Sequence, residues 1–298
     1  MTLLMVCGNI LIVITYLYNL KDSHMYSRIY VEITNICNMN CSFCHGHSRP
    51  KRQMTIDEFN IILNKLQGST EHIYFHLMGE PLTHPDIAEF IKIARNKGFK
   101  PMITTNGTLL SKKGNDIIKA GIYRVNISLH SFEGNDEALH LSYIDKVAEF
   151  AQRASEAGII VVLRLWNNGY DNGANKLVID RLKETICGEW KQNTRGIRIR
   201  NKLHLEWGER FGWPDKDIEA LGDEVFCYGL SDHFGILADG TIVPCCLDSD
   251  GVINLGNILK DDINEILSGE RASSIKKGFQ RRLAVEELCK RCPYARRF

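Results

Sequence analysis

The chain has 298 residues, 44% apolar and 24% charged, with 37 Lys+Arg against 36 Asp+Glu and a net charge of +1. That size and composition support one large domain, or one plus a small addition, with a sizeable core. The balanced charge excludes a dedicated nucleic-acid-wrapping protein, which needs a large basic excess. Ten cysteines (Cys7, Cys37, Cys41, Cys44, Cys187, Cys227, Cys245, Cys246, Cys289 and Cys292) fall in clusters. Clustered thiols in a chain of this length read as metal ligands before disulfides.

From Leu3 to Leu20 there is no charged residue. A helix over residues 3–20 would span about 27 Å, near the thickness of a bilayer core, so a membrane tether is one reading of this leader. Gly8, Asn9 and Asn19 interrupt it, no Lys or Arg precedes it, and no small-residue cleavage site follows, so it is not an export signal. A start at Met25 and an extra element packed on the domain are the other readings of residues 1–25. The cysteine chemistry goes with a cytoplasmic location.

Beyond Met25, β-rich runs alternate with helix-period stretches. Strands are predicted over Ile29–Ile33, Ile73–Leu77, Lys100–Thr104, Arg124–Leu129, Ile159–Leu165 and Ile197–Leu203. Helices are predicted over Ile56–Leu66, Asp86–Asn96, Ser111–Ala120, Tyr143–Ala157 and Asn175–Thr185. Thr55 and Glu58 form a capping-box pattern at the start of the first helix. Gly98, Gly121 and Gly158 each follow a helix and precede a strand, the place where a left-handed residue ends a helix. Such alternation means parallel strands with crossover helices, either an open doubly wound sheet or a barrel.

Cys37, Cys41 and Cys44 form a C-x3-C-x2-C triplet in the loop after the first strand, where parallel α/β folds place their active sites. Three thiolates suit a cubane whose fourth iron stays open. A zinc site would need a fourth ligand, for which His45 and His47 are the local candidates.

Towards the carboxyl end, Cys227, the pair Cys245-Cys246, and Cys289-Lys290-Arg291-Cys292 are joined by an apolar segment carrying Asp239-Gly240, a strong hairpin signal. The hairpin brings Cys227 and Cys245 towards each other, and a later helix returns the closing pair. Four thiols so joined indicate a second metal centre that staples a segment with little core of its own. Cys246 points to the opposite strand face from Cys245; a ligand swap between them stays open, as does a four-cysteine zinc site. Cys7 and Cys187 read as small buried apolar residues.

The triplet resembles the signature of the radical S-adenosylmethionine (SAM) superfamily. The resemblance runs over residues 26–205 and implies an α/β fold, a partial (β/α)6 TIM-like barrel. It implies that Cys37, Cys41 and Cys44 bind a [4Fe–4S] cluster whose open iron chelates SAM, with Phe43 against the adenine. Met78-Gly79-Glu80-Pro81 is similar to the family's Gly-Gly-Glu motif, which holds the SAM ammonium, with Met78 in place of the first glycine. Asn106 of Thr105-Asn106-Gly107, Ser128 and Arg164 occupy positions that help hold the methionine and ribose parts of SAM in relatives.

Apart from the family, the cysteine triplet, Glu80, Asn106, Ser128 or His130, and Arg164 or Asn167 fall at the carboxyl ends of five predicted strands. In a parallel barrel those ends meet on one face. The tail from residue 227 to 298, beyond a bridge over 206–226, looks like the twitch form of the SPASM extension, a small hairpin and helix domain. By that resemblance Cys227, Cys245, Cys289 and Cys292 carry an auxiliary [4Fe–4S] cluster.

The resemblance implies SAM cleavage to a 5′-deoxyadenosyl radical, hydrogen abstraction, and a reducing partner such as flavodoxin or ferredoxin. If the auxiliary cluster is fully protein-ligated, it accepts an electron and the net reaction is an oxidation. The expected substrate is a peptide or protein, as for anaerobic sulfatase maturases. The alternative is a sugar or cyclitol, as for a dehydrogenase of aminoglycoside biosynthesis with a similar tail. No nucleic-acid partner is expected, and a non-catalytic iron–sulfur or zinc protein is the competing class. Trp207, Phe211 and Trp213 either line a substrate mouth or join the two domains. The nine Lys/Arg of residues 270–298 read as a solvated helix face, or as a rim for an acidic substrate. His130, Glu133 and Asp136 are candidate acids or bases without a pairing that singles one out.

Overall fold

The computed structural model of the chain describes residues 25–132, 141–171 and 173–297. The leader with Cys7, and Glu133 and Asp136, lie outside them. The order begins β1 (Arg28–Val31), α1 (Ile56–Lys65), β2 (His72–Tyr74), α2 (Ile87–Asn96), β3 (Lys100–Thr105) and α3 (Leu110–Ala120). It continues with β4 (Arg124–Ser128), α4 (Leu141–Glu156), β5 (Ile160–Asn168), α5 (Ala174–Thr185), β6 (Lys191–Asn193), β7 (Gly196–Arg200) and β8 (Leu203–Glu209). After the bridge come β9 (His233–Ile236), β10 (Ile242–Val243), α6 (Ile263–Ser268), α7 (Glu270–Gln280) and α8 (Glu287–Lys290).

These form one sheet of order β10-β9-β1-β2-β3-β4-β5-β8-β7-β6, parallel from β9 through β8 and antiparallel at both margins. Among the described residues its margins do not pair with each other, so the barrel is partial. The strand residues alternate as two-fold periodicity requires. Ile29, Val31, Ile73, Phe75, Ile103, Val125, Ile127, Val161 and Leu163 are buried in the core formed with the helices. Phe59 of α1 stands at its centre, edge-on to Phe75 at 5.3 Å and 4.4 Å from Phe90 of α2. The capping box of α1 is formed, with the Glu58 amide donating to Thr55 Oγ1 at 3.2 Å and the Thr55 amide to Glu58 Oε2 at 2.9 Å. Gly98, Gly121 and Gly158 all take positive φ.

Two elements depart from the sequence prediction. The sixth parallel strand is β8, not Ile197–Leu203. That run is broken by Lys202, whose φ of 62° turns the chain, so Gly196–Arg200 becomes an antiparallel margin strand. The second concerns the cysteine-rich tail. Its hairpin forms with Gly240 in the left-handed region, but β9 then pairs in parallel with β1, Ile29 opposite Phe234 and Tyr30 opposite Gly235. The tail thus extends the barrel sheet, because Phe234 and Ile236 share the apolar core with Ile29 and Val31; the Phe234 ring lies 4.9 Å from that of Tyr26.

No helix among the described residues is long and apolar enough to cross a membrane. Three of the nine basic residues of the tail pair within it: Arg271 with Glu286 at 2.7 Å, and Lys290 and Arg291 both with Glu287. Cys187, expected to be buried, is exposed between α5 and β6, where the chain leaves the core after Ile186.

Candidate functional site

The cysteine loop leaves β1 at the carboxyl-end face of the sheet and is held there by its neighbours. Cys37 and Cys44 are exposed and Cys41 is half-buried. Partial desolvation of its sulfur raises the Cys37 thiol pKa against the opposing Met39 amide, and the nearby Glu80, Cys41 and Cys44 charges add to the rise. The loop after β2 presses against the start of the cysteine loop. The Glu80 amide donates to Ile36 O at 2.9 Å, and Thr83 Oγ1 to the same oxygen at 3.2 Å. Gly79 makes this approach possible: it has φ +77°, and a Cβ there would lie 2.5 Å from Thr34 O and 2.8 Å from the Asn35 carbonyl carbon.

Glu80 itself is buried and spans to β3. Its Oε1 accepts from Thr105 Oγ1 at 2.7 Å and the Leu82 amide at 3.0 Å, and its Oε2 from the Asn106 amide at 2.7 Å. Burial raises its pKa, and these three donors oppose the rise. The carboxylate therefore ties two loops together, and any grip on a ligand ammonium would be a further contact on oxygens already engaged.

Asn106 continues the chain of support. Its Nδ2 donates to Asn38 Oδ1 inside the cysteine loop at 3.0 Å, while Thr108 donates to its Oδ1 and Tyr143 Oη to its carbonyl at 2.7 Å. Phe43 packs 5.2 Å from the His130 ring, with the Arg210 guanidinium 5.6 Å from its centroid. Ser128 ends β4 in register with Arg164 of β5.

The Arg164 guanidinium lies 4.5 Å over the Trp166 ring, and its Nε is buried without a hydrogen-bond partner. Burial and the Arg124 charge lower the Arg164 pKa to about 10. Burial, with the Arg164 charge, lowers His76 to about 3 and His130 to about 4, so both imidazoles are neutral near pH 7. Asn167 is not part of this group; it exchanges two hydrogen bonds of 3.0 Å with Asn175.

Cys227, Cys245, Cys289 and Cys292 line one cavity, together with Pro244, Asp248 and Phe279. Burial raises all four thiol pKa values, Cys227 to about 11. Among the described residues no three His, Cys, Asp or Glu side chains gather closely enough to hold a single ion. Four soft donors spread round one buried space fit an iron–sulfur cluster. Cys246 is not among the residues lining this cavity; it packs with Tyr30 against Leu77, Leu237 and Val243, and the Tyr30 ring stacks on Tyr74 at 5.2 Å. In the bridge, Trp213 faces His45 at 6.2 Å and Phe211 meets Tyr294 at 5.4 Å, which places the bridge between the cysteine loop and the tail.

Glu32 was missed. It is fully buried and accepts from Arg49 Nη2 at 2.7 Å and Nη1 at 2.8 Å, from the Met78 amide at 3.1 Å, and from the Ala238 amide at 2.9 Å. A carboxylate at the end of an otherwise apolar-alternating strand was the available signal.

Two family models match the chain: the radical SAM superfamily over residues 31–169, and the SPASM iron–sulfur cluster-binding domain over residues 227–293. The probable GTP 3′,8-cyclase of Sulfurisphaera tokodaii is 25% identical over 294 residues, 86% of this chain and 92% of that protein. That of Methanothermobacter thermautotrophicus is 23% identical over 303 residues, 89% and 94% of the two chains. Among solved structures, BtrN in complex with AdoMet and 2-DOIA superposes with a TM-score of 0.59 at 19% identity, covering 90% of this chain and 93% of its own. Streptococcus suis SuiB bound to S-adenosylmethionine superposes with a TM-score of 0.61 at 16% identity, covering 98% and 79%. With a three-cysteine loop at the carboxyl ends of a partial parallel barrel and four further thiols round a second cavity, the chain belongs to the radical SAM superfamily and carries a C-terminal SPASM domain.

Proposed function

We propose that this radical SAM enzyme oxidises a small polar molecule. The observation that carries the reading is the four-thiol cavity of Cys227, Cys245, Cys289 and Cys292. A cluster held by four thiolates has no open corner for a substrate and supplies an electron acceptor. A [4Fe–4S] cluster on Cys37, Cys41 and Cys44 would, with SAM, supply the radical that removes hydrogen from a substrate carbon.

The remaining work is positional. Glu80, Thr105 and Asn106 set the height of the cysteine loop through Asn38. Phe43, backed by His130, offers a face for the adenine. Arg164, whose buried Nε has no hydrogen-bond partner and whose guanidinium lies over Trp166, offers charge to the SAM carboxylate. Below the loop, Tyr30, Tyr74 and His76 make a mutually packed polar wall, which suits a compact hydroxylated or anionic substrate better than an apolar peptide side chain.

The relatives named as GTP 3′,8-cyclases favour a second reading, cyclisation of a nucleotide. Anaerobic reconstitution separates the two. Oxidation predicts about eight irons per chain, 5′-deoxyadenosine on reduction with SAM, and an auxiliary Mössbauer signal indifferent to GTP. A perturbed auxiliary iron together with GTP turnover would establish the second reading and refute the first.

A further inference from the structure

The two cysteine-bearing regions are joined by a buried polar joint. Arg49, five residues beyond Cys44, gives both terminal nitrogens to Glu32 and its Nε to Ser249 O at 2.7 Å. Beside it, the Ser48 amide and hydroxyl both donate to Asp250 Oδ1, at 2.6 and 2.9 Å. Ser249 and Asp250 lie just beyond Cys245, on the loop whose Asp248 lines the four-thiol cavity. Glu32 meanwhile holds the Met78 amide at the head of the Gly79-Glu80 loop and the Ala238 amide at the tip of the tail hairpin. All four acceptor positions of one carboxylate are thereby used, by donors from three separate segments. Its side chain is wholly buried and that of Arg49 is 13% exposed.

We infer that the Glu32–Arg49 pair is a positioning device that registers the SAM-site loops against the auxiliary-cluster loop, so that the two sites are energetically coupled. The inference rests on the two-cluster reading above. The physical case is the fork geometry. A guanidinium can hold both Glu32 oxygens and a third acceptor at a fixed angle, whereas an ammonium holds a single point. Charge alone would need neither the third contact nor the adjoining Ser48–Asp250 pair. A shift of the auxiliary loop is passed to Arg49, and through Glu32 to the amide preceding Gly79. Such supporting shells alter affinity at a bound group by about tenfold or more when broken.

The test uses the full-length, anaerobically reconstituted chain. In the parent, SAM is expected to change the EPR line shape of the reduced auxiliary cluster, because coupling between two sites is reciprocal. In Arg49→Lys, which keeps the charge and loses the fork, SAM should bind about tenfold more weakly and leave the auxiliary signal unchanged. Glu32→Gln should match it, and should lose the SAM response even if its iron content also falls. A Cys289→Ser/Cys292→Ser chain should bind SAM about tenfold less well in the parent background but lose less than about threefold more in Arg49→Lys. Parent-like SAM affinity in an Arg49→Lys chain that keeps both clusters, or simple multiplication of the two losses in the combined variant, overturns the inference. A parent chain holding only about four irons would instead overturn the two-cluster reading itself.

Discussion

Gly79→Ala tests how the cysteine loop is seated. The glycine has φ +77°, and the added Cβ would meet backbone atoms of Thr34 and Asn35 at 2.5–2.9 Å. A left-handed residue with a Cβ costs about 1–2 kcal/mol, and overpacking against atoms that cannot rotate away adds about 1–3 kcal/mol. The total is about 2–5 kcal/mol. Because the struck atoms belong to the stretch that leads into Cys37, the least costly relief is displacement of that loop. At the lower bound this corresponds to about a thirtyfold loss of SAM affinity. Gly98→Ala is the control: its φ is +87° but nothing lies within 4 Å of a Cβ, so only the conformational cost applies and the site is untouched. Calorimetric SAM titration of the two reconstituted variants, with iron content as a check, reads the difference. Equal SAM affinity in Gly79→Ala, Gly98→Ala and the parent would refute the argument that this contact sets the loop.

Cys245→Ala should lose the auxiliary cluster, about four of about eight irons, while Cys246→Ala, which removes a side chain packed with Tyr30 outside the cavity lining, should keep both; the reverse pattern in iron and sulfide analysis would exchange their roles. Thr105→Val removes one of three donors to Glu80, whose pKa is already raised by burial. A carboxyl with a raised folded pKa stabilises most below its unfolded value and loses that contribution as pH rises through the folded one. The variant should extend this loss to higher pH, seen as a larger fall in urea midpoint between pH 5 and 7. His76, held at about 3, acts in the opposite sense. Its share of stability is complete above the unfolded value of 6.5 and declines as pH falls towards the folded one, so His76→Gln should flatten the acid limb of the same titration.

Much of the architecture was written locally. The Thr55–Glu58 box, the glycines after α2, α3 and α4, and the two-fold alternation of Ile29, Val31, Ile73 and Phe75 are short-range instructions that propensity and periodicity can read. The spacing of Cys37, Cys41 and Cys44, and the Asp239-Gly240 turn, are likewise legible because their partners lie within a few residues. Lys202 defeated the strand assignment at 197–203, since a single non-glycine residue at positive φ leaves no compositional mark.

What tertiary structure alone decided is where long-range partners meet. Nothing near Phe234 announces that β9 will lie beside β1, and nothing near Glu32 announces Arg49, Met78 and Ala238 as its donors. Glu80 is expected from its motif to serve the SAM ammonium, yet packing gives its carboxylate Thr105, Leu82 and Asn106 as donors. Which of Cys245 and Cys246 faces the cavity also depends on packing: Cys245 lines it beside Cys227, while Cys246 packs with Tyr30 against Leu77, Leu237 and Val243. Buried polar groups must find partners wherever the fold brings them, and those partners are set by three-dimensional contact rather than by distance along the chain.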